Sequence, residues 1–213
     1  ANAVSRTAQL WIFGGMFLGF GIKVPMFPFH TWLPDAHTEA PTVGSVILAA
    51  VLLKLGTYGF VRIAIPLLPE AAVEWAPWIG LLAVIGIIYG AFCCLAQTDM
   101  KRLIAFSSVA HMGFVMLGIS TLTDFGINAA IMGMVAHGLI TGMLFFLAGS
   151  MKERYHTLEI KRLGGLLVQA PKMGWILGFC AMASLGLPGL AGFWGEFPAI
   201  LSAYNPANGL PVE

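Results

Sequence analysis

Five ionisable side chains stand in otherwise apolar stretches of this sequence: Lys23, Lys54, His111, His137 and Glu196. Lys54 is the most demanding of them, because the run from Val43 to Phe60 carries no other charge. A lysine at the centre of a membrane helix costs about 2.5 to 3.5 kcal/mol on insertion scales, so such a group faces a polar or wet interior and marks an ion or proton path. Lysine and histidine both titrate near neutrality once they are desolvated or given a charged neighbour. Arginine stays charged and could not take that part. One titratable group in each of several consecutive apolar segments therefore suits a relay of protons.

The neighbours of these groups support that chemistry. Thr57 and Tyr58 follow Lys54 by three and four residues, and Ser107 and Ser108 precede His111 by four and three. Thr141 follows His137 by four. Residues three and four apart share a helix face, so each titratable group is expected on a locally polar stripe of an oily helix. A single membrane histidine also serves simply as a hydrogen-bonding link to the next helix. The recurrence of five such groups is what favours a relay.

The elements that must position them are membrane helices. Hydrophobic residues make up 58% of the chain and charged ones only 10%, with a mean hydropathy of +0.85. Such a composition excludes an ordinary soluble domain. A span needs about 20 apolar residues, and five stretches qualify, at about 42–65, 76–96, 103–121, 127–149 and 173–187. A sixth begins near Gln9 and is interrupted. The fold class expected is all-α: a polytopic transmembrane bundle with about six spans, two of them broken helices.

Proline and glycine mark the two breaks. The first segment runs apolar from Leu10 to Ile22 and then meets Lys23, Pro25 and Pro28, while the last meets Pro188, Gly189, Gly192, Gly195 and Glu196. Each break frees backbone groups that need water or protein partners. Paired interruptions in corresponding segments point to an ion site between inverted repeats, with Lys23 at one and Glu196 at the other. Gly15 to Gly19, Gly86 to Gly90 and Gly138 to Gly142 have the small-xxx-small spacing of packed helices. The sequence is expected to be an internal piece of a longer membrane protein.

Seven of the 11 lysines and arginines, namely Lys101, Arg102, Lys152, Arg154, Lys161, Arg162 and Lys172, fall on one set of alternate loops. The positive-inside rule puts residues 97–102 and 150–172 on the cytoplasmic side, or its organellar equivalent, and 27–41 with them. Lys101 and Arg102 are read as topology signals and His156 as a solvated loop residue. Asp35, His37 and Glu39 lie in a turn-rich segment framed by Pro34 and Pro41, and are expected to satisfy freed backbone rather than guide protons. Cys93, Cys94 and Cys180 lie in apolar spans as packing residues. Net charge +1 and the absence of a basic, aromatic-interleaved patch argue against nucleic acid.

The run from Lys23 through His30, Asp35 and His37 to Thr42, followed by Leu52-Leu-Lys54-Leu-Gly-Thr-Tyr-Gly59, resembles the antiporter-like membrane subunits of respiratory complex I. Gln97-Thr-Asp-Met-Lys-Arg102, Ser107-Ser-Val-Ala-His111, Ala136-His137-Gly138 and Gly192-Phe-Trp-Gly-Glu196 agree in the same order. The resemblance covers the whole sequence as one membrane domain. It implies about half of such a subunit, its seventh to twelfth helices, with residues 1–75 ending one inverted repeat and 76–213 forming most of the next. Glu196 sets it apart from sister subunits that carry lysine at the corresponding break.

The resemblance also implies roles for the five groups. Lys23 matches a broken-helix lysine paired with a glutamate on an earlier helix, and Lys54 matches the central lysine. His111 and His137 match bridging histidines, and Glu196 the terminal acid. The function implied is proton translocation coupled to electron transfer in other subunits. No cofactor is implied in this chain, whereas NADH, flavin, iron-sulfur clusters and quinone belong to partner subunits. Its partners are other complex I membrane subunits, sister antiporter-like subunits among them, and the lipid of a bacterial or organellar inner membrane. Related subunits also serve cation/proton antiporter complexes and membrane hydrogenases. A reading of another class makes His111 and His137 axial ligands of a haem. Counting along their helices sets their depths roughly 6 Å apart, which argues against it.

Overall fold

The computed structural model describes residues 4–207, which are almost wholly helical. α1 (Arg6–Lys23) begins at Ser5, whose hydroxyl accepts from the Ala8 amide at the first turn. After residues 24–31 comes the short α2 (Trp32–Glu39). Among the described residues, α3 (Thr42–Leu67), α4 (Pro69–Leu95), α5 (Met100–Ser120) and α6 (Asp124–Tyr155) are the four helices long and apolar enough to cross a membrane. Leu166–Gln169 forms a short α7, followed by α8 (Pro171–Ser184) and α9 (Ala191–Ala203).

Local chemistry sets these boundaries. Asp99 and Thr123 cap α5 and α6 by accepting from the amides of Arg102 and Gly126, which satisfies donors that the first turn leaves orphaned. Pro69 and Pro171 open α4 and α8, where a missing N–H costs nothing. α6 stops at His156, whose left-handed backbone (φ 54°) ends the ladder. Three boundaries depart from the apolar pattern. α4 starts at Pro69 rather than near 76, α6 runs 32 residues from Asp124 into the charged Lys152–Arg154 turn, and α8 ends at Ser184 after only 14. Hydropathy ignores caps and charged ends that a helix can still include, which accounts for the first two.

Burial ranks the long helices. In their apolar windows α5 is 67% buried and α6 56%, against 39% for α3 and 22% for α4. The bundle is therefore built around α5 and α6, with α4 along α5 and α9 wedged against both. α4 turns Trp78, Phe92 and Leu95 outward, as suits a helix whose solvent is lipid. The main core joins Phe13 and Phe17 of α1 with Phe60, Ile79, Met112 and Met116. A second cluster gathers Ala49, Ile104, Phe145 and Ala148 around the charged end.

One end collects the loops that the charge count put together. Asp99 bridges Glu159 as a β-pair, Arg102 reaches Asp35 at 2.7 Å, and Lys101 Nζ donates to the Ala40 carbonyl at 2.9 Å. Residues 27–41, 97–102 and 150–162 thus share a face. Lys101 is more than a topology charge. It is 1% exposed and ties the α2–α3 junction to α5. His37 is buried and stacked on Phe145 at 4.4 Å, while Asp35 and Glu39 are exposed. His156 is exposed, as its loop position suggests.

The two neighbouring cations should differ in worth. Lys101→Ala leaves a buried carbonyl without its donor and should cost about 1 to 3 kcal/mol. Arg102→Ala removes an exposed pair, 45% and 71% accessible, and should cost less than about 1 kcal/mol. Thermal unfolding of the detergent-solubilised variants against wild type measures both.

Candidate functional site

Lys54 sits in α3 between two stretches of π-helix, Leu48–Leu52 and Phe60–Ala64. A π-turn carries one extra residue and rotates the helix beyond it, which is why such turns gather at functional positions. Here the ammonium donates to the Ala49 carbonyl at 2.5 Å and lies 2.6 Å from Nδ1 of His137 on α6. With Lys54 charged, Nδ1 accepts and the ring proton sits on Nε2. Nε2 is buried and has no hydrogen-bond partner among the described residues.

Close helix approach makes that contact possible. A side chain at Gly138 would put its Cβ 2.8 Å from the Ala50 carbonyl and 3.7 Å from Cε of Lys54. Only hydrogen fits, so α3 and α6 touch backbone to backbone beside the lysine–histidine pair. The small-xxx-small spacing of Gly138 and Gly142 is therefore packing that sets site geometry.

A second pair lies beside the first. His111, on the central helix α5, has Nδ1 2.6 Å from Oε1 of Glu196 on α9, and Nε2 2.9 Å from the hydroxyl of Ser184 at the end of α8. The imidazoles of His111 and His137 are 5.6 Å apart between ring centroids. A cavity of about 20 Å³ is lined by both rings, Ser184, Glu196 and small residues including Gly133, Gly192 and Gly195. That is room for one water molecule among polar atoms. Lys54, His137, His111 and Glu196 thus form one file through the centre of the bundle.

Lys23 stands apart. It lines a separate recess with Gly15, Gly19, Phe20, Leu55 and Gly56, and among the described residues it has no ion-pair partner. The polar stripes are also quieter than their spacing suggests. Thr57 donates to the Lys54 carbonyl and the Met134 sulfur, and Ser107 and Ser108 both donate to the Ile104 carbonyl. Thr141 donates to the His137 carbonyl. Hydroxyls in apolar helices bond back to the preceding turn, so these chiefly satisfy backbone, and of them the Thr141 hydroxyl also lies 3.5 Å from Nδ1 of His137. Tyr58 is exposed.

The haem reading fails on grounds other than helix depth. The rings are close enough to face each other, but three of their four nitrogens are held by Lys54, Glu196 and Ser184. The space between them fits a water rather than a porphyrin. Sequence spacing missed Ser184 and the Ala49 carbonyl. Ser184 shares no helix stripe with the five groups, and a backbone carbonyl leaves no trace in composition.

Titratable side chains from four helices thus meet inside an all-helical membrane bundle. The chain belongs to the NADH:quinone oxidoreductase/Mrp antiporter transmembrane family, whose model matches residues 1–209. It is 49% identical over 197 residues to NADH-quinone oxidoreductase subunit M of Rickettsia bellii, covering 92% of this chain and 40% of that protein. Its fold matches a chain of respiratory complex I from Thermus thermophilus with a TM-score of 0.90 and 40% identity, over 96% of this chain and 44% of the other. A chain of the Mrp complex from Dietzia gives 0.88 at 21% identity, over 93% and 37% respectively, a likeness of fold alone. The chain spans about 40% of the length of the curated relatives it matches.

If His111 and Glu196 act on each other as the geometry indicates, their removal will not be additive. A double-mutant cycle of His111→Ala and Glu196→Gln, read by thermal unfolding, should give a coupling energy of about 1 to 2 kcal/mol. Purely additive effects would deny the contact.

Proposed function

We propose that this chain is part of the subunit M type of NADH:quinone oxidoreductase, an antiporter-like membrane subunit that carries protons across a bacterial inner membrane. The observation that carries this reading is the file Lys54, His137, His111, Glu196, with contacts of 2.6 Å at each end and the two imidazoles 5.6 Å apart between ring centroids in the middle. The 49% identity to subunit M of a bacterial relative supports the assignment. On this reading α1 with α2, and α8 with α9, are two broken spans of a six-span piece. Residues 1–75 close one inverted repeat and 76–213 form most of the next.

In the mechanism proposed, a charge displacement arriving from a neighbouring subunit changes the pairing of Lys23 with a glutamate outside this chain. That alters the proton affinity of Lys54 through its surroundings. Lys54 and His137 already share a short hydrogen bond, so the ammonium can yield its proton to Nδ1 without any side chain moving far. The ring then releases a proton from Nε2 toward the small cavity, and His111 takes one up and passes it from Nδ1 to Glu196. The transfers at the two ends lie within hydrogen-bond reach, as proton transfer requires, and the cavity between the rings has room for one water. The redox reaction takes place in partner subunits: NADH, flavin, iron-sulfur clusters and quinone act there, and sister antiporter-like subunits adjoin this one in the membrane.

A cation/proton antiporter is the second reading, favoured by the shared Mrp fold; a membrane hydrogenase subunit would use the same relay with another electron source. Vesicles carrying the assembled complex separate these readings. NADH oxidation should drive proton uptake without sodium, and Lys54→Met should reduce that uptake at least about tenfold while the complex still assembles. Sodium exchange without electron transfer would overturn the complex I assignment, and unchanged pumping by Lys54→Met would reduce the file to a structural network.

A further inference from the structure

The five-residue relay leaves one step without a carrier. His137 is bonded through Nδ1 to Lys54, so its proton toward Glu196 must leave from Nε2, whereas Nδ1 of His111 is already committed to Glu196. A proton passing between the rings must therefore enter His111 at Nε2, and that nitrogen is held by the Ser184 hydroxyl at 2.9 Å. Ser184 also lines the small cavity that His137 lines. We propose that Ser184 is a further member of the relay, the group through which a proton coming from His137 reaches Nε2 of His111. The proposal rests on the proton-relay reading of the site.

The chemistry favours a hydroxyl at this point. A serine O–H donates one hydrogen bond and accepts others, and it rotates between those roles. When Nε2 is bare the hydroxyl donates to it, which leaves the ring proton on Nδ1 facing the Glu196 carboxylate. When His111 becomes a cation, Nε2–H donates to the serine oxygen, and the hydroxyl hydrogen is free to turn toward the cavity. A proton arriving there binds the serine oxygen as the hydroxyl's own proton passes to Nε2, so Ser184 ends neutral and one proton has moved. His111 then releases its Nδ1 proton to Glu196 and returns to the neutral ring with its proton on Nε2. To reset the pair, the remaining ring proton passes from Nε2 to Nδ1 through water after Glu196 has handed its own proton on, and the hydroxyl turns back to donate to Nε2. Every protonation state of His111 thus keeps a partner at both nitrogens, and none leaves a buried polar group stranded.

The fold holds Ser184 there for a reason. It is the last residue of α8, and Gly186 follows in a left-handed turn (φ 68°), where a Cβ would lie 2.8 Å from Oε2 of Glu196. A side chain at Gly195 would collide with Cα of Gly133 on α6. The break between α8 and α9 therefore packs the serine and the glutamate against the two sides of one imidazole.

The test uses the full complex in native membrane vesicles, with assembly followed by immunoblot and NADH-driven proton uptake read across pH. Ser184→Ala should lower uptake about tenfold and displace its pH profile by about one unit, while Ser184→Thr restores both. An infrared difference spectrum should also show the Glu196 carboxyl band shifted in Ser184→Ala. If Ser184→Ala does not assemble, Ser184→Cys, nearly isosteric with a weak S–H donor, takes its place and should show the same loss. Glu196→Gln runs alongside. Loss in Glu196→Gln together with wild-type uptake and pH profile in the Ser184 variants overturns the serine's part alone. Wild-type uptake in Glu196→Gln overturns the relay reading itself. Loss in Ser184→Ala with an unmoved pH profile and no rescue by threonine makes the serine structural and also overturns the proposal.

Discussion

The structure turns on the cost of keeping an ammonium inside an oily helix. Lys54 is half-buried in an apolar helix, so its charge is met by groups within hydrogen-bond distance. The Ala49 carbonyl and the ring of His137 meet it. The carbonyl belongs to a π-turn of the same helix, and the ring is within reach only because Gly138 lets two backbones touch. Remove either device and a half-buried charge loses one of its partners in an apolar setting, which is destabilising. The irregularity of α3 and the glycine on α6 are thus two parts of one answer.

The same constraint propagates outward. A histidine that accepts from Lys54 keeps its other nitrogen for a different neighbour, and the second imidazole, 5.6 Å away between ring centroids, sits on α5, the most buried of the four long helices. Its partners come from two short helices, Ser184 as the last residue of α8 and Glu196 from the second turn of α9, so the turn between those helices brings a serine and a glutamate to the two nitrogens of one ring.

The charged end follows different rules. Lys101 is buried and holds a carbonyl, while Arg102 next to it reaches an exposed carboxylate. Neighbouring residues on a helix point about 100° apart, so one faces the bundle and the other does not. Sign of charge predicts the side of the membrane; direction decides whether the charge also binds the fold together.

Much was legible in the sequence alone. Composition fixed a membrane chain, the apolar runs placed the long helices, the lysines and arginines gathered three loops on one face, and isolated charges singled out Lys23, Lys54, His111, His137 and Glu196, of which the fold brings the last four together and leaves Lys23 in a separate recess. These signals are local, since each depends on what one segment costs in lipid. Helix ends were misplaced where caps, not hydropathy, decide them. What the sequence could not supply is which groups meet. Lys54 and His137 are 83 residues apart and His111 and Glu196 are 85 apart, and no periodicity reports a contact of that range. Ser184 looked like any other small residue before a turn, and Thr57 and Ser107 looked like partners though their hydroxyls serve the backbone. Tertiary packing decided these points, because a hydrogen bond depends on tenths of an ångström and on what the neighbouring helix leaves room for.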